Sequence, residues 1–503
     1  MKSNSKRSRS STSSNASLSE DESSKDSKIC KLHEFSPREI ENLRQYLLSW
    51  YDTSKRDLPW RRIGAQETDR NRRGYAVWVS EVMLQQTQVA TVIEYYNKWM
   101  KRWSSMQELG KASLEEVNEM WAGLGYYSRA RRLHEGCKKV VNEMNGELPS
   151  DAVSLKKSLP GVGRYTAAAI ASIAFNEPVG LVDGNVVRVL SRLRIIGTDS
   201  SSTVAVEMFW KLVDEIIAKD HPGDFNQAIM ELGATVCMPK SPHCGSCPVR
   251  EICLAYKQAK HFVHKNESGI KSFFDSSRQT EDHPTDALTD IEELISNDCQ
   301  LCLPRDSTWN AELGVCNYPR KAKTKEARQE TVAVCILECH TDEDTLLFLA
   351  KRPSSGLLAG LWEFPNFVVE TDSSDSDVSL ATKVKEFIRE EFEITLPENQ
   401  DVSHLGQVVH LFSHIHHTYI VHKIVLNAKP KVLTGESVNG RSTKWVLHSE
   451  FLEMAVSTGM KKVYSLHKNN GKPKKGSGRV RQKREEKDGS KRQRVLDSFF
   501  VKT

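Results

Sequence analysis

The sequence predicts a multidomain protein in which an all-α domain closed by a cysteine-rich loop is followed by a smaller α/β domain. Three observations carry this. From about residue 35 to 235 apolar residues recur at helical spacing, and few segments alternate with period two. Cys237, Cys244, Cys247 and Cys253 follow as C-x6-C-x2-C-x5-C, close enough to fold around one soft metal centre. From Thr331 onwards strand-like and helix-like segments mix over about 135 residues, enough for a second domain.

The elements follow in order. Residues 1–34 hold little to bury and are expected to be a disordered tail. Ser36-Pro37 with Glu39 signals a capped helix running through Trp50. Further helices are predicted over Ala76–Tyr95, Leu114–Trp121, Ser128–Met144, Ala152–Leu159, Tyr165–Phe175, Asn185–Leu193 and Ser202–Ala218, within a domain spanning 35–260. Residues 261–330 are charged and weakly periodic, and read as a connector. The second domain, 331–466, has expected strands at Thr331–Leu337, Thr345–Ala350, His417–Leu426 and Ser442–Val446, and helices at Val384–Phe392 and Ser449–Ser457. Residues 467–503 form a basic tail: from 468 on, thirteen Lys or Arg stand against four Asp or Glu.

Composition narrows the class. The 503 residues carry a net charge of +5, a modest bias towards a polyanionic partner that the tail concentrates. Eleven cysteines, four of them at ligand spacing and two more as Cys299-x2-Cys302, suit thiols holding metal in a reducing compartment rather than a disulfide framework. No run of 18 apolar residues exists, so no membrane partner is expected. The basic runs at 472–475 and 483–494 suit nuclear import or simply a solubilising arm. The Ser-rich, basic start leaves a mitochondrial destination open, although Glu20, Asp21 and Glu22 oppose an unmodified presequence.

Residue by residue, the chemistry concentrates in the first domain. Pro160-Gly161-Val162-Gly163 separates two predicted helices. Proline ends the first, the glycines allow a tight turn, and the second helix presents free N–H groups to an anion such as a DNA phosphate. Glu81 sits in an apolar helical stretch, where desolvation raises a carboxyl pKa into the range of a general acid. Asp183 precedes Gly184-Asn185 and reads equally as the N-cap of a helix or as a catalytic carboxylate, roles that can coexist. The cysteine run permits zinc or [4Fe–4S]. A single C-x2-C pair is unlike the two of a zinc ribbon.

Leu159-Pro160-Gly161-Val162-Gly163-Arg164-Tyr165-Thr166-Ala167, Leu181-Val182-Asp183-Gly184-Asn185-Val186, Val79-Ser80-Glu81-Val82-Met83-Leu84-Gln85-Gln86 and Gly123-Leu124-Gly125-Tyr126-Tyr127-Ser128 together closely resemble the helix-hairpin-helix DNA glycosylase superfamily, and more narrowly its eukaryotic MutY-type adenine glycosylases. The resemblance implies an all-α helix-hairpin-helix glycosylase domain with a [4Fe–4S] cluster on Cys237, Cys244, Cys247 and Cys253, plus a Nudix-like α/β domain. It implies a monofunctional, monomeric enzyme that hydrolyses the N-glycosidic bond of adenine opposite 8-oxoguanine or guanine in double-stranded DNA. Glu81 is then the acid at adenine N7 and Asp183 stabilises the sugar cation, with Asn185 and Tyr165 holding both. The competing reading is an endonuclease III-like glycosylase and AP lyase for damaged pyrimidines. Its motif carries a nucleophilic lysine where this chain has Tyr165.

The resemblance extends to DNA contacts and partners. Gln85 and Gln86 are expected at base edges, Tyr126 and Tyr127 as an aromatic wedge, and Leu159, Gly161 and Gly163 at the backbone. Phe412-Ser413-His414 matches the loop that recognises 8-oxoguanine, while Arg389-Glu390-Glu391 departs from a working Nudix pyrophosphatase box. Cys299 and Cys302 offer part of a connector zinc site, with Cys316 and His33 as candidate completing ligands where Glu292 replaces an expected cysteine. In the tail, Gln493, Leu496, Phe499 and Phe500 resemble the peptide that docks on the PCNA sliding clamp.

Overall fold

The computed structural model describes residues 29–262, 299–304, 309–320, 326–341, 344–353, 356–369, 377–397, 399–412, 414–426, 437–438 and 440–469. The first helix, α1 (Pro37–Ser54), opens with a capping box: Ser36 and Glu39 satisfy each other's backbone N–H groups, and proline fills the first turn. It is followed by α2 (Pro59–Gln66), α3 (Arg70–Leu84), α4 (Val89–Arg102), α5 (Met106–Lys111), α6 (Leu114–Met120), α7 (Ser128–Glu143), α8 (Ala152–Ser158), α9 (Arg164–Phe175), α10 (Gly184–Leu193), α11 (Thr203–Ile216) and α12 (Pro222–Thr235).

Two apolar cores divide these helices. Trp78, Trp99, Trp121, Leu133 and Ile170 centre one, built from α2 to α9. Leu43, Leu47, Val186, Leu190, Phe209 and Phe225 centre the other, in which α1 returns to pack with α10, α11, α12 and the cysteine loop. A cleft of about 1480 Å³ opens between the two lobes.

The helix predicted over Ala76–Tyr95 is two helices. Arg129 causes the break: its guanidinium donates to the carbonyls of Val82 (2.9 Å) and Met83 (3.0 Å) at the end of α3 and to Gly125 (2.9 Å) in the turn between α6 and α7. Those carbonyls are satisfied without another helical turn, and Gln86 follows in the left-handed region at φ 56°. Helices α2, α5 and α12 were not predicted. The first two are too short for a periodic signal, and Gly and polar residues dilute the pattern of the third.

The second domain is a mixed sheet in the order β5-β6-β1-β2-β8-β7. Its strands are β1 (Arg328–His340), β2 (Thr345–Lys351), β3 (Trp362–Glu363), β4 (Asn366–Val369), β5 (Ser403–Leu411), β6 (Ile415–Leu426), β7 (Ser437–Val438) and β8 (Arg441–Leu447), with β3 pairing β2 and β4 pairing β1. Among the described strands, only β1 and β6 run parallel. Central strand β1 buries alternate residues on opposite faces: Val332, Val334 and Ile336 meet α14 (Thr458–Lys468), whereas Ala333, Cys335 and Leu337 meet α13 (Asp377–Phe392). The helix expected at Ser449–Ser457 is a run of turns instead. Ser457 caps α14 through Met460 N–H, so the helix starts where that expectation ended.

The two domains meet at α6. Leu361 and Ala455 complete the core of the first lobe. The Trp362 indole N–H donates to the Glu115 carboxylate at 3.0 Å, while Lys351 and Lys444 lie 3.7 Å from the same carboxylate.

Candidate active site and metal centres

Glu81 and Asp183 face the interlobe cleft from opposite lobes. Glu81 is buried on α3, and the Tyr165 hydroxyl, from the first turn of α9, donates to its Oε2. Burial pushes the Glu81 carboxyl up to about 7, with the charge on Asp183 adding to the rise and the tyrosine bond opposing it. A carboxyl titrating there is protonated in a substantial fraction at neutral pH, as a general acid requires.

Asp183 is the N-cap of α10. One oxygen accepts from Val186 N–H at 2.7 Å and the other from Asn185 Nδ2 at 2.8 Å. Burial raises its pKa, while those two donors and Arg188 favour the charged form. Capping and chemistry therefore coexist: the cap fixes the carboxylate at a helix N-terminus facing the cleft. Arg188, one turn on, holds Asn185 Oδ1 at 2.8 Å and donates to the carbonyls of Gly233 and Cys237, at 2.6 and 2.7 Å. Sequence reasoning did not single it out. Its spacing of three from Asn185 on a helix is the signal that was available.

The hairpin closes the cleft on one side. Gly161 is left-handed at φ +75°, and a Cβ there would lie 2.6 Å from Arg132 Cδ. Leu159 is buried, so its contribution to the surface is backbone. Gln85 reaches Thr166 at 3.3 Å, linking α3 to α9 beside the turn. The expected aromatic pair is split. Tyr126 is 42% exposed, but Tyr127 is 6% exposed, packed in the first lobe with its hydroxyl accepting from Gly123 N–H. Tyr127 is thus a core residue, and of the pair the turn exposes Tyr126 alone.

In the second domain Phe412 and His414 flank the β5–β6 turn. Phe412 packs edge-on against His410 and His417, and exposed His414 accepts from Arg328 N–H. Ser413, between them, lies outside the described residues, as do Gln493, Leu496, Phe499, Phe500 and Glu292.

Two cysteine groups pack against the core of the second lobe. Cys237, Cys244, Cys247 and Cys253 line one apolar cavity with Val189, Leu193 and Val249. Burial pushes the Cys247 and Cys253 thiols up to about 12, so a bound cation is needed to keep them as thiolates. Arg192 donates to Cys237 Sγ at 3.2 Å, a fixed positive partner for such a charge. The residues fit an iron–sulfur cluster.

The second group is tighter. Cys30, His33, Cys299 and Cys302 bring their ligand atoms within 4.8 Å of one another. Cys30 and Cys302 sulfurs are 3.7 Å apart, and His33 Nε2 lies 3.3 Å from Cys302 Sγ. Tetrahedral thiolates at about 2.3 Å from zinc stand roughly 3.8 Å apart. His33 Nδ1 sits 2.8 Å from the Arg194 carbonyl, which fixes the proton there and leaves Nε2 free to bind metal. Cys316 lies elsewhere, 3.5 Å from Arg192 towards the other cysteine loop.

With this geometry in hand, comparison with known proteins is decisive. The model for the HhH-GPD superfamily of base excision DNA repair proteins matches residues 79–215, that for the iron-sulfur binding domain of endonuclease III matches 237–253, and a NUDIX domain model matches 333–466. The chain is 45% identical over 479 residues to the adenine DNA glycosylase of Mus musculus, covering 94% of this chain and 87% of the relative. The chain belongs to the adenine DNA glycosylase family. The Homo sapiens member is 46% identical over 468 residues, covering 92% of this chain and 81% of the relative. Among solved structures, the C-terminal domain of mouse MUTYH in complex with human PCNA is 31% identical over 28% of this chain and 89% of that one, with a TM-score of 0.24. Family membership makes the chain a DNA glycosylase of base excision repair, and the cluster on its four cysteines [4Fe–4S].

Proposed function

We propose that the chain is a monofunctional glycosylase that hydrolyses adenine from A:8-oxoguanine and A:G pairs, with Glu81 and Asp183 as its catalytic carboxyls. The observation that carries this reading is the raised, tyrosine-bonded Glu81 on one wall of the cleft and the N-capping Asp183 on the other. Neutral Glu81 gives its proton to adenine N7. The C1′–N9 bond then breaks with its electron pair leaving on the purine, and the ionised Asp183 stabilises the cationic sugar. Water adds to C1′ and returns a proton to the Glu81 carboxylate. Tyr165 donates to Glu81 throughout, and Asn185, clamped by Arg188, keeps Asp183 oriented.

The cleft wall that holds the carboxyls offers a phenol at position 165, not an amine, which supports simple hydrolysis over a lyase. Tyr126 is read as the wedge that fills the vacated stack, and Phe412, Ser413 and His414 as the reader of the opposite base. The cysteine–histidine quartet of the connector is read as a structural zinc site, closed and without an open position, that ties the N-terminal residues to the connector. The tail motif ending at Phe500 is read as a PCNA-docking peptide, and the basic runs as nuclear import signals.

The test is adenine release from an A:8-oxoguanine duplex before and after alkali. Release without strand scission until alkali is added is the expected result. Scission without alkali, or unchanged release by Glu81→Gln, overturns the assignment.

A further inference from the structure

A third group of side chains able to hold a metal lies in the C-terminal domain, at one end of its sheet. Glu338 on β1, His448 just after β8 and His467 in the last turn of α14 bring one ligand atom each within 4.8 Å of one another. Glu338 Oε1 is 3.4 Å from His448 Nε2 and 3.5 Å from His467 Nε2. Nitrogen and oxygen ligands about 2.0–2.1 Å from a tetrahedral ion stand roughly 3.3–3.4 Å apart, so these separations are those of ligands around one cation.

The hydrogen bonding independently asks for a cation. Tyr464 has one hydroxyl proton and gives it to the His448 carbonyl at 3.1 Å. The same hydroxyl oxygen lies 3.1 Å from His448 Nδ1, which must therefore carry the proton of that bond. A neutral His448 then has a bare lone pair on Nε2, buried, without a hydrogen bond and aimed at a carboxylate. Two acceptors facing each other repel unless a cation, either a proton on Nε2 or a metal ion, lies between them. This is the arrangement that supports metal-binding histidines, with the distal nitrogen bonded and the proximal one free.

The carboxylate is ready for the role. Lys423 Nζ takes Oε2 at 2.8 Å, leaving Oε1 to the histidines as a one-oxygen ligand. Glu338 and His467 are buried, while the ring of His448 is partly exposed and gives access from solvent.

We propose that Glu338, His448 and His467 form a divalent-metal site of the zinc class, with three protein ligands and a fourth position for water. The donor set of two imidazoles and one carboxylate suits Zn²⁺ and its first-row neighbours, not Ca²⁺ or Mg²⁺. The ion staples β1, the end of β8 and the last turn of α14, where the chain leaves the sheet for the basic tail.

The experiment uses the full-length protein, equilibrated with Zn²⁺ by dialysis, with zinc and iron counted by elemental analysis. A variant carrying Cys299→Ser and Cys302→Ser, which removes the connector thiols, should retain one equivalent of zinc, with X-ray absorption reporting only nitrogen and oxygen neighbours. Adding His448→Gln to that background should weaken this binding at least tenfold, and adding His467→Gln should abolish it, with the iron content unchanged. Should the double histidine variant misfold, Lys423→Gln provides the second arm: loss of the neighbouring positive charge should tighten zinc several-fold. Absence of bound zinc in the cysteine variant, with iron retained, overturns the site and leaves a proton as the cation between these groups. Zinc that persists after both histidines are replaced overturns it equally.

Discussion

A single carboxyl, Glu81, makes the active site measurable. Its folded-state pKa of about 7 stands above the ordinary glutamate value of 4.5. The folded chain therefore binds a proton more tightly than the unfolded chain, and stability from this group is complete below about pH 4 and lost as pH rises through 7. The loss is on the order of 3 kcal/mol. Glu81→Gln keeps the shape without the charge, so it should stabilise the protein at pH 8 relative to the unmodified chain and not at pH 5. Thermal unfolding at the two pH values checks this, and equal shifts would refute a buried, raised carboxyl. Single-turnover adenine release should fall as pH rises past 7, because the neutral acid is what reacts.

Residue identity carried far at this scale, but burial had to decide between alternatives. Glu81 and Asp183 were legible because each sits in a motif of its own. Tyr126 and Tyr127 are the same side chain at adjacent positions. Only the core of the first lobe determines that the second is packing.

Elements were legible where their stabilisation is local. Caps at Ser36 and Asp183 and the Pro160–Gly163 turn set boundaries that the structure keeps to within a residue or so. The division of α3 from α4 was not legible, because the group that ends α3 is Arg129, 47 residues beyond Val82. Cys30 was missed for the same reason, since its partner Cys302 is 272 residues away. Two expectations follow here. Gly161→Ala meets both an unfavourable positive φ and the Arg132 side chain, so it should cost more than about 1 kcal/mol. It should also weaken DNA binding several-fold, leaving adenine release at saturating DNA nearly intact, as equilibrium titration and single-turnover rates would report. If the proposed connector zinc site is real, Cys302→Ser, which removes the thiol that touches both Cys30 and His33, should lower bound zinc by one equivalent and loosen residues 30–34 to hydrogen exchange, with iron unchanged.

At the scale of the whole molecule, what matters is how firmly the C-terminal sheet domain is held to the helical glycosylase domain. No sequence pattern announced the junction, because Glu115 on a short helix and Trp362 on a two-residue strand are 247 positions apart. The contact has two parts of different physical character. Lys351 and Lys444 approach Glu115 at 3.7 Å from partly exposed positions, so their attraction is long and screened by salt. The Trp362 indole is 6% exposed and its N–H bond to the carboxylate is 3.0 Å, so it is short and shielded. Both lysines also lie over the Trp362 ring, at 5.2 and 4.5 Å from a ring centroid, which packs the cluster around the indole. Glu115→Ala should therefore cost on the order of 1–2 kcal/mol of domain coupling, most of it from the stranded indole N–H, and raising the salt concentration should reproduce only the smaller, lysine part. Scanning calorimetry of the full chain reads this directly. A single transition in the unmodified protein should broaden or separate into two in Glu115→Ala, and survive in the unmodified protein at 0.5 M salt, about fivefold above the ionic strength at which the Debye length is 10 Å. Because the helical lobe keeps its carboxyls and the sheet keeps its loop, the same variant should release adenine from A:8-oxoguanine and A:G duplexes at rates closer to each other than the unmodified chain does. Rates that keep their ratio while the transitions separate would mean that the two domains need not be clasped for one to inform the other.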